Sequence, residues 1–526
     1  MPCAFELDRS QYSRKSEGAE TRCQFNVQEA ELIELEGKTW CLFHLPLTQK
    51  ENWTKEEKSR FLILLTDYSD NRARHNTNID LSGVIFPHLG SISSEQVFGK
   101  NPPDLLVVNA SFNNDVICHD VNFNGRVIFD GSCFGKLVDF SKSNFSNRVS
   151  FRGVRFESRS RFENCAFHEY TDFSKSSFIE TTSFVNSKFG SKASFIGSKF
   201  EKFVDFSRSG FSRQVEFQES VFSGSADFLG VTFSRTADFS MAQFYRASRF
   251  PETEFHGDAE FSSSEFLESV YFSDSSFYKK ANFERSKFEG DAHFSASRIG
   301  DAASGVTFYE VSFKDAVFSN RARFVNRRFL DTSDFRDTVF HIAPEFYSCA
   351  LHQDTDFTGA EFLDTKGTDE VNAAQAYRTL KLAMESVRSR SDQARFYALE
   401  QQSLRALSNT SRAENVISWL YEKTADYGTS IAGPLAWLFA IFAVFVGAYL
   451  LAVALDGGTG IADADLQVVV RYTLRQVFRP FEAFSHRGTA PIAPLGLAIW
   501  SAVYSLLNFS LLALFFLAVR RRFKMD

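Results

Sequence analysis

The chain lacks the features that mark most enzymes, nucleic-acid binders and secreted proteins. It has no C-x-x-C pair and few histidines, so neither a disulfide framework nor a zinc site is predicted. Its seven cysteines are Cys3, Cys23, Cys41, Cys118, Cys133, Cys165 and Cys349. No nucleophile–base set, phosphate loop or metal-ligand spacing is present, so we expect no catalytic residue, no cofactor and no metal. The net charge of -7 is mild and argues against a nucleic-acid partner.

Phenylalanine is present in large excess, at 61 residues. From Phe129 to Phe294, a series that alternates steps of five and six is Phe at all 31 of its positions. Two residues before each stands a small residue such as Ser132 or Ala292. An α-helix would scatter this series around its axis, and a flat strand would expose half of it. The period instead predicts a coil of short straight sides, each turning one Phe and one small residue inward, with rings stacked about 4.8 Å apart between coils.

The segment DFSRSGFSRQVEFQESVFSGSADFLGVTF resembles the pentapeptide-repeat family, in the variant where five- and six-residue steps alternate. This resemblance implies a mainly β fold, a right-handed quadrilateral β-helix with about 22 residues per coil and roughly eleven coils over residues 79–363. After Ile299 the register slips through GDAASGVTF, and we expect it to resume at Phe313. Arg327 and Pro344 break the small-residue rule, which we interpret as local distortion of the last coils.

The two ends of the solenoid adjoin segments of different character. A small N-terminal cap domain, residues 1–78, is predicted because the end of a solenoid exposes unpaired backbone. Within it, residues 24–50 are predicted to form strands, and Thr54 and Glu57 are predicted to form a capping box before a helix. Residues 364–432 have helical periodicity around a turn at RSRSD, which predicts a helical hairpin as linker.

Residues 433–526 predict a membrane module of two transmembrane helices. The uncharged runs 435–455 and 495–519 are long enough to cross the bilayer core. Two crossings would place the N-terminal domain and the C-terminus on the same side of a plasma or inner membrane. The N-terminus MPCAFELDRSQYSRK lacks an apolar signal core, and the thiols fit a reducing compartment, so we expect that side to be the cytoplasm.

Both predicted spans carry a face typical of contact with another helix. Small residues recur on one face of the first span and would let helices approach closely. They are Ala436, Ala440, Ala443 and Gly447. The second span carries Ser501, Ser505 and Asn508 on one face, which we expect to face a partner helix or water.

The segment between the spans, 466–487, allows two interpretations. Arg471, Arg475 and Arg479 form one charged stripe, with Glu482 just past the proline that ends the helical period. The segment is either an amphipathic helix lying in the membrane interface or a re-entrant pore helix followed by a constriction. The spacing does not decide between them.

The order span, helix, turn, span is similar to the two-helix pore module of tetrameric cation channels. Some pentapeptide-repeat proteins end in such a module after a YRxLK helix, which is here residues 377–381. FRPFEAFSHRG stands where a T-x-G-Y-G filter would be, so potassium selectivity by that filter is not expected. The resemblance implies a homo-oligomer, a tetramer by analogy, that passes ions or small solutes. Its pore candidates are Ser501, Ser505, Asn508, Arg471, Arg475, Arg479 and Glu482.

An alternative function is a membrane-anchored interaction scaffold without a conducting pore. In that case the spans only anchor and multimerise, and the solenoid binds a protein partner. Under both functions the partners are the lipid bilayer and further copies of the chain, and the protein is not an enzyme.

Overall fold

The computed structural model describes residues 4–5, 23, 25, 32–35, 37–98, 102–297, 307–363, 370–406, 411–455, 466–478 and 495–523. These belong to two compact units, residues 1–365 and 366–526, each of which is described by itself.

The first unit is dominated by a parallel β-solenoid of about 12 turns with four sides per turn. Most strands are two residues long and pair in register with the strand 22 residues away, as Phe134 pairs with Phe156. This confirms the predicted fold class and coil length.

The strands stack into four sides. The first side comprises Ser111–Phe112, Cys133–Phe134, Arg155–Phe156, Ser177–Phe178, Lys199–Phe200, Val221–Phe222, Gln243–Phe244, Glu265–Phe266, Lys287–Phe288, Val317–Phe318, Val339–Phe340 and Glu361–Phe362. The second comprises Ser91–Ser93, Asp115–Ile117, Val138–Asp139, Ser160–Arg161, Thr182–Ser183, Val204–Asp205, Ala226–Asp227, Ser248–Arg249, Val270–Tyr271, Ala292–His293 and Ala322–Arg323.

The other two sides join through two longer strands, Ser276–Asn282 and Thr307–Ser312. The third side otherwise comprises Asn122–Phe123, Asn144–Phe145, Ala166–Phe167, Lys188–Phe189, Gly210–Phe211, Thr232–Phe233, Glu254–Phe255 and Arg328–Phe329. The fourth comprises Ile79–Asp80, Leu105–Leu106, Val127–Ile128, Val149–Ser150, Thr171–Asp172, Ala193–Ser194, Val215–Glu216, Ala237–Asp238, Ala259–Glu260, Ser333–Asp334 and Thr355–Asp356.

The core of the solenoid consists of stacked phenylalanine columns, as the period predicts. Phe228 lies parallel to Phe206 and Phe250, with ring centres 5.1 and 4.6 Å away. Rings of neighbouring columns meet edge to face, as Phe228 and Phe239 do at 89°. Both arrangements are favoured by the ring quadrupole.

Two further ladders repeat every eleven residues. Each five-residue step contains one residue at positive φ, for example Gly230 and Met241, because so short a step needs a tight turn. At another position a hydroxyl donates to a backbone carbonyl 25 residues earlier. Examples are Ser209 to Phe184 O at 2.7 Å and Ser286 to Phe261 O at 2.6 Å. The small inward residues that carry a hydroxyl therefore donate hydrogen bonds as well as leaving room for the Phe rings.

The register slip lies at residues 298–306, outside the described residues, but the strands on either side show its size. Lys287 pairs with Val317, 30 residues away instead of 22, so this turn contains eight extra residues. The prediction that the register resumes at Phe313 is confirmed, because Phe313 stacks on Phe283 with ring centres 4.9 Å apart and keeps the 30-residue offset of Lys287 and Val317. Phe308 already stacks on Phe277 at 4.9 Å, but one residue out of that register. The one-residue shift between the Phe277–Phe308 pair and the Lys280–Glu310 pair is absorbed by a bulge.

The predicted distortion near Arg327 and Pro344 is confirmed. Arg327 is fully buried, and its guanidinium donates to the carbonyls of Phe294, Ser275 and Phe272. Near Pro344 the pairing with the preceding coil on this side is reduced to an isolated bridge between Arg323 and Glu345.

The N-terminal cap combines a short hairpin with helices. Strands β1 (Leu32–Leu35) and β2 (Lys38–Cys41) are antiparallel. They are followed by α1 (Leu47–Lys50), α2 (Lys55–Arg74) and α3 (Ser94–Phe98). Part of the predicted strand region is thus helical.

The capping box at the start of α2 is confirmed, with Glu57 N donating to Thr54 Oγ1 at 3.2 Å and Thr54 N to Glu57 Oε2 at 2.6 Å. Phe61 of α2 meets Phe86 edge to face, which seats the helix on the first turn of the solenoid.

The second unit is entirely helical within its described residues. Helices α4 (Glu370–Ser386) and α5 (Arg390–Ala406) form the predicted hairpin. Next come α6 (Arg412–Ala425), a 3-10 turn at Asp426–Gly428, α7 (Ala432–Leu455), α8 (Leu466–Phe478) and α9 (Leu495–Phe523).

Candidate functional site

Helices α7 and α9 are long and apolar enough to cross a membrane. The candidate spans are Ala432–Leu451 and Ile499–Arg520. Ser430 Oγ accepts a hydrogen bond from Gly433 N at 3.0 Å, so the first turn of α7 is capped.

The two candidate spans and α8 pack around an aromatic cluster. Phe445 of α7 and Tyr504 of α9 stack with ring centres 4.2 Å apart. Tyr449 of α7 and Val469 of α8 are buried against them. Helix α8 therefore packs against both candidate spans.

The predicted polar face of α9 is fully buried in this cluster. Ser501, Ser505 and Asn508 are at most 1 % exposed. Ser505 Oγ donates to Gln476 Oε1 of α8 at 3.0 Å. Asn508 Nδ2 donates to Tyr504 O at 2.8 Å, whereas its buried Oδ1 has no hydrogen-bond partner among the described residues.

Polar residues of α8 complete this buried polar face. Gln476 and Thr473 are almost fully buried, and Thr473 Oγ1 donates back to Val469 O at 2.8 Å. These two residues were not predicted from the sequence. A signal was present for Thr473, because it lies about half a turn away from Arg471 and Arg475 on the same helix.

The arginine stripe and the small-residue stripe face outward. Arg471 and Arg475 are exposed, while Arg479 and Glu482 lie outside the described residues. All four small residues of α7 are exposed as well: Ala436, Ala440, Ala443 and Gly447. A Cβ added to Gly447 would meet no atom within 4 Å. Within one chain, the predicted polar face of α9 is thus buried, whereas the arginine stripe of α8 and the small-residue stripe of α7 are exposed.

The contact between α8 and α9 lies inside the candidate span. Ser505 is six residues after Ile499, which places the Ser505–Gln476 bond about 9 Å from that end of the span. Phe445 is likewise six residues, about 9 Å, before Leu451 at the adjoining end of α7.

Two residues of the YRxLK segment, Arg378 and Lys381, join α4 to α5 through ion pairs. Glu400 of α5 is 2 % exposed and accepts from Arg378 Nε at 2.8 Å and Lys381 Nζ at 2.6 Å. A buried carboxylate shared by two cations is well compensated for its lost hydration. Glu400 was not anticipated, although it lies on the buried face of a helix.

A basic cavity of about 940 Å³ lies between the C-terminal end of α9 and the residues that precede α7. It is lined by Lys381, Arg390, Arg395, Thr429, Leu517 and Arg520, among others. Burial lowers the pKa of Arg395, an effect that nearby Asp392 opposes. The charged form of Arg395 would therefore gain from an anion in the cavity.

The first unit defines a four-sided parallel β-solenoid, and the second carries two candidate spans. A family model described as Pentapeptide repeats (9 copies) matches residues 129–177 and 217–265, so the solenoid is built of pentapeptide repeats. Comparison with curated proteins and with solved structures gave no match. The resemblance of the second unit to a channel pore module stays a prediction.

Proposed function

We propose that the chain forms a homo-oligomeric membrane pore for ions or small solutes, with the solenoid as its assembly or sensor domain. The observation that carries this proposal is the buried polar face that Ser505 and Asn508 form with Gln476. A helix that serves only as an anchor needs no amide in its buried interior, because an unsatisfied polar group in hydrocarbon costs several kcal/mol.

The burial of Gln476 and Thr473 favours a re-entrant α8 over an interfacial one. An interfacial helix turns its polar residues to water and buries only an apolar face. Helix α8 instead buries two polar side chains against the candidate spans, with one hydrogen bond about 9 Å from the end of the candidate span in α9. Non-helical or re-entrant segments at such depth are tolerated where they line a cavity or lie within protein.

The exposed small-residue stripe of α7 supports assembly of several chains. Gly447 and the three alanines offer a smooth helix face, and such faces promote close helix association in lipid. The proposed oligomer is a tetramer by analogy with two-helix pore modules.

The proposal is tested by reconstituting the purified full chain into liposomes loaded with an ion gradient. We expect the gradient to dissipate in proportion to the protein incorporated, and chemical cross-linking to give a closed oligomer. Insertion without any flux of ions or of small uncharged solutes would contradict the proposed pore and favour the alternative function as a membrane-anchored scaffold.

The scaffold alternative is favoured by an exposed stripe on the third side of the solenoid. Tyr278, Tyr309 and Leu330 follow one another on successive coils and are each more than a third exposed. His256 stacks on Tyr278 with ring centres 4.5 Å apart and continues the stripe. Contiguous exposed aromatic residues are typical of protein-binding surfaces.

The proposed orientation places the solenoid and both ends of the chain in the cytoplasm. The basic lining at the end of α9 fits the cytoplasmic leaflet, which attracts lysine and arginine. A cysteine introduced at exposed Ser212 should react with a membrane-impermeant maleimide in lysed cells and not in intact cells. The wild-type chain measures the background from its own thiols. Labelling of the Ser212→Cys variant in intact cells, above that background, would reverse the orientation.

A further inference from the structure

The N-terminal cap brings together two thiols and an imidazole that the repeat does not require. Cys41 ends β2, His44 follows three residues later, and Cys23 joins them from the preceding segment. Their ligand atoms all lie within 4.8 Å of one another. Cys41 and His44 are almost fully buried, and Cys23 is half-buried.

The distances suit a tetrahedral metal site. The sulfurs of Cys23 and Cys41 are 3.6 Å apart, far beyond the roughly 2.05 Å of a disulfide bond. Two sulfurs bound to one zinc ion at about 2.3 Å each would lie roughly 3.8 Å apart. Cys41 Sγ is 3.1 Å from His44 Nδ1, so the imidazole nitrogen closes the group.

The histidine is held in the tautomer that a metal needs. His44 Nε2 lies 3.0 Å from Ser82 O, and a carbonyl oxygen can only accept, so Nε2 carries the proton. Nδ1 therefore presents its lone pair toward Cys41. Such a hydrogen bond from the second ring nitrogen to a backbone carbonyl is typical of histidines that ligate metals. Phe5 stacks on the same ring at 4.0 Å and shields the group from solvent.

We propose that Cys23, Cys41 and His44 bind a structural zinc ion. The two cysteines bind as thiolates and release their protons, and the histidine binds through Nδ1. Structural zinc takes four ligands, so one further donor would complete the set.

A zinc ion would explain how so small a cap holds its shape. The hairpin of β1 and β2 has four residues per strand, and a two-stranded hairpin is marginal on its own. A metal that joins Cys23 to the end of β2 supplies folding free energy directly. No zinc site was predicted from the sequence, because there is no paired C-x-x-C motif. The overlooked signal was Cys41-x-x-His44 with a second cysteine, Cys23, 18 residues before Cys41.

The test is the zinc content of the purified full chain, measured by mass spectrometry of the metal. We expect about one zinc ion per chain in the wild type, and less than about a tenth of that in Cys41→Ser and His44→Ala. Cys165→Ser is the matched control, because Cys165 is a buried thiol of the solenoid in a position that serine fills on other coils. Its zinc content should equal that of the wild type.

A second measurement does not depend on whether the variants fold. Cobalt exchanged into the wild-type chain should give the intense visible bands of a tetrahedral ion and the near-ultraviolet charge-transfer band of thiolate ligands. Wild-type protein without zinc and without these cobalt bands would overturn the proposal. So would a Cys23–Cys41 disulfide, detected as five reactive thiols out of seven after denaturation without reductant.

Discussion

Replacing Phe228 with alanine should lower the local free energy of unfolding of the solenoid by about 3–5 kcal/mol. Phe228 is fully buried, between Phe206 and Phe250 in one column and edge-on to Phe239 in the next. Its removal leaves a cavity that short, hydrogen-bonded strands cannot collapse to fill.

Hydrogen exchange of the purified full chain measures this loss. Amides on the coils around Phe228 should exchange roughly 10²- to 10⁴-fold faster, since 1.4 kcal/mol is tenfold. The effect should fade within a few coils, because solenoid stability is mainly a nearest-neighbour property. Phe203→Ala is the matched control, since Phe203 is 40 % exposed and its loss should cost less than about 1 kcal/mol. Equal effects of the two substitutions would contradict the stacked core.

Replacing Arg327 with alanine should cost about 3 kcal/mol or more, confined to the last coils. The guanidinium serves three buried carbonyls, with Nη2 at 2.6 Å from Phe272 O, and it lies 5.1 Å from the centre of the Phe308 ring. In regular coils a hydroxyl donates to one carbonyl at this position. The preceding turn contains eight extra residues. Here a long side chain with several donors reaches the buried carbonyls of Phe272, Ser275 and Phe294.

Local hydrogen exchange near residues 307–340 measures the effect of Arg327→Ala. Arg246→Ala removes the same side chain from the surface, where Arg246 pairs with Glu268 at 2.6 Å while 64 % exposed. Surface pairs contribute little, so this control should change stability by less than about 1 kcal/mol. If Arg327→Ala exchanged no faster than the control, Arg327 would not hold the slipped coil together.

The regular solenoid could be predicted from sequence because each residue there has one local role. The five- and six-residue steps place Phe on successive sides, and the small residue before each Phe follows from the width of the axis. The slipped turn could not be predicted in the same way. The resumption at Phe313 follows from the spacing, but whether Phe308 also joins a stack depends on how eight extra residues fold back, and that depends on the shape of neighbouring coils.

The candidate site was predicted in part for a similar reason. The face of Ser501, Ser505 and Asn508 follows from helical spacing alone. Its partner Gln476 lies 29 residues away from Ser505, and only tertiary packing brings them together. Glu400 was also missed, because its partners Arg378 and Lys381 lie 22 and 19 residues away. Cys41 and His44 are only three residues apart, but Cys23 lies 18 residues from Cys41, and folding brings it to them.

Single-channel recording of the full chain in planar bilayers tests the proposed pore most directly. Asn508→Leu replaces the buried amide with an apolar side chain of similar volume, while Ser510→Leu makes a polar-to-apolar change at an exposed position two residues away on α9. The pore account predicts discrete conductance in the wild type, nearly the same conductance in Ser510→Leu, and a small fraction of it in Asn508→Leu despite equal insertion. Unchanged conductance in Asn508→Leu, or no conductance in any of the three, would contradict it.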